Sequence, residues 1–116
     1  MSNLGQLWRL KKEGKLKNKN GDWKYSDIPL EIPKPGVLQF DNFITDKTKN
    51  MVLGFEDKNI TIGSEVILVP IPEDPILKKQ SYWKVILTKL GWFKIFHPLS
   101  GSYLTTKSGS KLTIEG

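Results

Sequence analysis

The chain contains no cysteine, one histidine and two methionines, and Arg9 is its only arginine. Without cysteine, neither a disulfide nor a thiolate metal site can hold the fold. Small secreted domains commonly rely on disulfides, so a reducing compartment is the expectation. The start of the chain, Met1-Ser2-Asn3-Leu4-Gly5-Gln6-Leu7-Trp8, lacks the apolar stretch of about 7–15 residues that marks a secretory signal. A cytoplasmic location is therefore expected if the chain stands alone, and none is implied if it is part of a longer protein. No apolar run approaches the roughly 18 residues of a membrane span.

Catalytic and metal-binding patterns are equally scarce. Any triad, histidine metal site or imidazole base would have to use His97, which sits before Pro98 at the end of an alternating segment, where a turn-bonding role is expected. The carboxylate pairs Glu56-Asp57 and Glu73-Asp74 are sequence neighbours, and neighbours on a strand point to opposite faces, so neither is a ready acid/base dyad. Residues 57–63 share only an acidic start and a glycine with a calcium loop. Glycine-rich phosphate loops and zinc spacings are missing. A non-enzymatic protein without cofactor or metal is expected.

What is present is a basic, β-rich chain of one domain's size, 116 residues with a net charge of +6. Most of that charge lies in residues 1–24, where Arg9, Lys11, Lys12, Lys15, Lys17, Lys19 and Lys24 face only Glu13 and Asp22. Apolar residues alternate at Trp8-Arg9-Leu10-Lys11, at Lys15-Leu16-Lys17 and at Phe93-Lys94-Ile95-Phe96-His97, a period-two pattern of half-buried strands. Val66-Ile67-Leu68-Val69 and Val85-Ile86-Leu87 are short apolar runs rich in β-branched residues, as buried strands are. Turn signals separate them: Glu13-Gly14, Asn20-Gly21, Pro35-Gly36, Ser100-Gly101 and Ser108-Gly109. Prolines make residues 28–36 and 70–77 poor places for a helix interior or a central strand.

A threefold repeat organises these strands. Gln6-Leu7-Trp8, Gln39-Phe40 and Gln80-Ser81-Tyr82-Trp83 open three units over about residues 6–38, 39–79 and 80–116. Each continues with a second strand and turn, at 16–21, 44–50 and 95–101. A third strand is expected at 22–25, 51–55 and 102–105, and a fourth at 30–32, 66–69 and 112–114. Three units of four make twelve strands, with the N-terminal strand closing the last unit.

The spacing resembles that of the ricin-B-type lectin domains, with their Gln-x-Trp repeats, most closely at residues 5–18 and 95–104. The resemblance implies an all-β chain folded as a β-trefoil, with Trp8 and Trp83 in its core. It also implies a sugar pocket built from an Asp on the third strand, an aromatic at the end of the fourth and an Asn-Gln pair. At those positions stand Lys24, Gly54 and Thr105 for the Asp, and Pro33, Val69 and Glu115 for the aromatic. Gln6, Gln39 and Gln80 remain, preceded by Gly5, Leu38 and Lys79 instead of Asn.

Three ligand classes stay open. A glycan or glycoprotein, taken by a non-standard site, would use Gln6, Gln39, Gln80, Tyr103, Thr105 and Thr106, together with Trp23, which has no large counterpart in the other units and is open to an exposed role. A polyanion would use Arg9, Lys11, Lys15, Lys17 and Lys19, which alternation places on one solvent face. The same lysines equally serve to guard an exposed strand, and with a single arginine for bidentate contacts nucleic acid is not the expected partner. A protein partner would use the proline-containing loops 28–36 and 70–77, the second carrying Ile71 and Ile76.

Overall fold

The computed structural model describes residues 5–35, 41–107 and 111–116. Alternation along the chain resolves, among these residues, into nine strands: β1 (Trp8–Leu10), β2 (Leu16–Asn18), β3 (Thr45–Asp46), β4 (Met51–Gly54), β5 (Ile67–Pro70), β6 (Lys84–Lys89), β7 (Trp92–His97), β8 (Ser102–Lys107) and β9 (Lys111–Glu115). One short helix, α1 (Pro75–Gln80), joins β5 to β6, and the described residues are otherwise all-β with a single 3-10 turn at Lys12–Gly14. No helix among the described residues is long and apolar enough to cross a membrane.

The strands form two antiparallel sheets. The larger runs β2-β1-β7-β8-β9, with β6 also paired to β7; the smaller runs β3-β4-β5. Hairpin β1–β2 sets Trp8 opposite Asn18 and Leu10 opposite Leu16, and β1 meets β7 where Trp8 pairs with Phe93. The inward side chains of both sheets share one core: Trp8, Leu16, Ile44, Leu53, Trp83, Ile95, Leu104, Leu112 and Ile114 are all but completely buried. Each buried Leu or Ile there contributes about 1.5–3 kcal/mol relative to an exposed position.

Two indole N–H groups tie the core to strand backbones. Trp8 Nε1 donates to the Leu104 carbonyl at 3.2 Å, and Trp83 Nε1 donates to the Leu53 carbonyl at 3.1 Å. The first bond ties β1 to β8 and the second ties the residue before β6 to β4, so both link segments far apart in the chain.

Several expectations need correction. Residues 22–25 form turns, not a strand: Ser26 Oγ accepts from the Trp23 N–H and donates back to the Trp23 carbonyl, and Ile28 N bonds the Tyr25 carbonyl. Residues 30–32 make only an isolated bridge, Glu31 to Thr45, because Pro29 and Pro33 on either side cannot donate to a ladder. Residues 75–80 are helical although proline-containing, because Pro75 occupies the first helical turn, where its missing N–H is no loss. Asp74 caps that helix, accepting from the Ile76 and Leu77 N–H groups.

Candidate functional site

Strand β7 points Phe93, Ile95 and His97 inward and Trp92, Lys94 and Phe96 outward. Because Trp8 pairs with Phe93, the first hairpin lies beside this outer face. Arg9 places its guanidinium carbon 4.3 Å from the centre of the Trp92 ring, and Lys19 Nζ lies 5.6 Å from it. Such cation–π contacts leave the charges available to an anion. Arg9 stands directly across the ladder from Lys17. Like charges in that relation destabilise a sheet. Among the described residues, none of Arg9, Lys17, Lys19 and Lys94 forms an ion pair with a carboxylate.

The face continues along β7 onto β8. Lys94 Nζ lies 5.6 Å from the Tyr103 ring, which packs on Phe96 at 5.3 Å between centres. Gly5, at φ +80°, roofs Tyr103 so closely that a Cβ there would fall 2.7 Å from the ring. The result is a strip of aromatic rings interleaved with uncompensated cations, suited to a chain that carries negative charge along flat, partly apolar units.

The sequence-predicted glycan residues are distributed differently. Gln6 is committed to structure: Oε1 accepts from Asn18 Nδ2 at 2.8 Å and Thr106 N at 2.9 Å, and Nε2 donates to the Thr106 carbonyl at 3.1 Å. Gln80 is buried at the end of α1, where its Nε2 donates to the Lys58 carbonyl. Thr105 donates to the Tyr103 carbonyl, and the Thr106 side chain is buried. Trp23 lies in the core, 4% exposed, edge-on to Trp8 and donating to the Leu16 carbonyl. Gln39 lies outside the described residues, as does residue 36 of the loop 28–36. Among the described residues of this set, Tyr103 alone is on the outer face. Of the polyanion set, Arg9, Lys11, Lys17 and Lys19 are exposed, while Lys15 is half-buried and 3.8 Å from Glu13.

Gly54, the position at which the lectin resemblance would place an Asp, leaves no room for a side chain: a Cβ would lie 2.7 Å from Ser81 Oγ and 3.1 Å from Val69 Cγ2.

His97 is fully buried. Its Nε2 meets the Gln80 carbonyl at 2.7 Å, which can only accept, so Nε2 carries the proton and Nδ1 accepts from Ser100 Oγ at 2.6 Å. Burial pushes its pKa below the ordinary value of 6.5, opposed in part by the Gln80 bond. Asn18 and Asp46 occupy the matching places, buried, with Oδ1 accepting from Asn20 N and Thr48 N respectively. No group of three or more His, Asp or Glu side chains gathers as a metal site among the described residues.

Two features escaped the sequence reading. Trp92 underlies Arg9 and Lys19, although its phase with Lys94 and Phe96 signalled an outward position. A second concavity of about 380 Å³ is lined by Asp41, Lys79, Tyr82, Pro98 and Leu99, with Phe43 packed on Tyr82 at 5.4 Å. It brings together residues from three distant segments, and no local pattern announces it. In comparison with known proteins, no protein family, no curated protein and no solved structure matches this chain.

Proposed function

We propose that the chain is a β-trefoil binding module, not an enzyme, whose ligand is an acidic carbohydrate chain such as a sulfated glycan. The trefoil reading is supported by what recurs. The anchor tryptophans Trp8 and Trp83 bond the third strand of the preceding unit, and Asn18, Asp46 and His97 cap equivalent turns from buried positions. The non-enzymatic reading is supported by His97, the one histidine, having both ring nitrogens bonded within the core.

The observation that carries the ligand class is the Arg9–Lys17 pair, opposed on the ladder without a carboxylate and lying beside Trp92 and Lys19. An anionic chain crossing this face would relieve the repulsion, and its pyranose faces would find Trp92 and Tyr103 alongside. Binding of a sulfated oligosaccharide is expected to weaken steeply with salt, as for any polyanion held by several cations. The double variant Lys17→Gln/Lys19→Gln should flatten that salt dependence.

A second reading is favoured by the Asp41–Tyr82 concavity, which offers a carboxylate and an aromatic ring in a space of about 380 Å³, monosaccharide-sized. Salt-independent binding of a neutral sugar that is abolished by Asp41→Asn would move the site there. Tighter binding of single-stranded nucleic acid than of the glycan, under the same salt, would overturn the carbohydrate assignment.

A further inference from the structure

The hairpin joining β6 and β7 turns through two residues, Leu90 and Gly91, between the paired Lys89 and Trp92. Both have positive φ, 52° and 80°, the backbone of a turn that asparagine and glycine enter readily and leucine only against its own sterics. Leu90 is also 86% exposed at this apex. A side chain that is unfavourable both for its backbone and for its contact with water marks a position kept for something other than folding.

Leu90 does not stand alone. Leu87 is 58% and Leu10 44% exposed, and they border a concavity of about 610 Å³ with Ile32, Pro33 and Phe93. Its only charged lining residues among those described are Arg9 and Lys34, both cations. Arg9 Nη2 donates to the Leu90 carbonyl at 2.9 Å, so the apex is held in place from the neighbouring strand.

We propose that this apex docks the protein on an anionic lipid surface, with Leu90 and Leu87 entering the acyl boundary and Arg9, Lys34 and Lys89 meeting acidic headgroups. The side chains fit a bilayer interface: an aliphatic apex at Leu90 is flanked by the paired Lys89 and Trp92, with the Arg9 guanidinium against the Trp92 ring. Among the described residues, none lining this concavity is a carboxylate that would repel the headgroups. This inference stands on the leucines and does not rest on the glycan reading, although Arg9 borders both surfaces.

Sedimentation of the full chain with vesicles of phosphatidylserine and phosphatidylcholine, compared with phosphatidylcholine alone, tests it. Binding to the acidic vesicles is expected, and Leu90→Asn should weaken it by about tenfold, the scale of one lost aliphatic insertion. The same substitution should raise the melting temperature, since asparagine suits the left-handed turn, and should leave sulfated-glycan binding unchanged. Loss of vesicle binding therefore cannot be attributed to misfolding or to the glycan face. Equal sedimentation of Leu90→Asn and the parent chain would overturn the proposal, as would equal binding to neutral vesicles. A concentration-dependent dimer that dissociates in Leu90→Asn, without vesicle binding by either protein, would instead assign the patch to a second copy.

Discussion

Asn18, Asp46 and His97 solve one problem with three chemistries: each is a buried polar side chain at the end of a strand, bonded to the turn that follows. The histidine differs in being able to gain a charge. Its folded pKa lies below 6.5 because burial disfavours imidazolium, so the unfolded chain binds the proton more readily. Stability from this residue is complete above the unfolded value and is lost as pH falls from about 6.5 toward the folded pKa. Thermal unfolding followed across that window should show a falling midpoint, and His97→Asn, which copies the first unit, should remove this part of the slope. The turn-bonding role of His97 was legible in the sequence because it ends an alternating segment directly ahead of Pro98 and the Ser100-Gly101 turn. The burial of Trp23 was not legible: its lack of a large counterpart in the sequence left an exposed role open, whereas it packs edge-on against Trp8 in the core.

Among the elements, the β1–β2 hairpin shows most directly a conflict between stability and binding. Its ladder sets Arg9 against Lys17, a repulsion that an opposite charge would convert into attraction. Lys17→Glu should therefore stabilise the fold by roughly 0.2–1 kcal/mol, the usual size of a cross-strand pair, while weakening sulfated-glycan binding. Chemical denaturation beside a binding titration reads both effects; a variant that gains neither stability nor loses affinity would mean the pair is solvent-screened. Strand positions were readable wherever period-two alternation ran for several residues, as along β7. Leu10 obeys that alternation yet lies 44% exposed, at the rim of the concavity it shares with Leu87 and Leu90. Helix α1 was missed because its proline was read as a breaker, when Asp74 directly before Pro75 is the pattern of a capped first turn.

For the whole molecule, the question is what holds the first segment to the last. Trp8 is fully buried, bonds the Leu104 carbonyl and pairs with Phe93, while Gln6 bridges Asn18 to the backbone of Thr106. All of these partners except Asn18 come from residues 93–106, so the N-terminal strand joins the first hairpin to β7 and β8 of the larger sheet. Removing residues 1–8 deletes an aromatic whose loss from a core costs about 3–5 kcal/mol, and it also leaves the Leu104 carbonyl and the Thr106 N–H without partners. Against a typical total of about 5–15 kcal/mol, that loss should lower the thermal midpoint sharply or leave the chain unfolded. Trp8→Phe keeps an aromatic ring but removes the indole donor and the volume of its five-membered ring, so its loss should be smaller than that of the truncation and include about 1–3 kcal/mol for the unsatisfied Leu104 carbonyl. An unchanged midpoint in the truncated chain would show that the first and last segments are held together without the N-terminal strand.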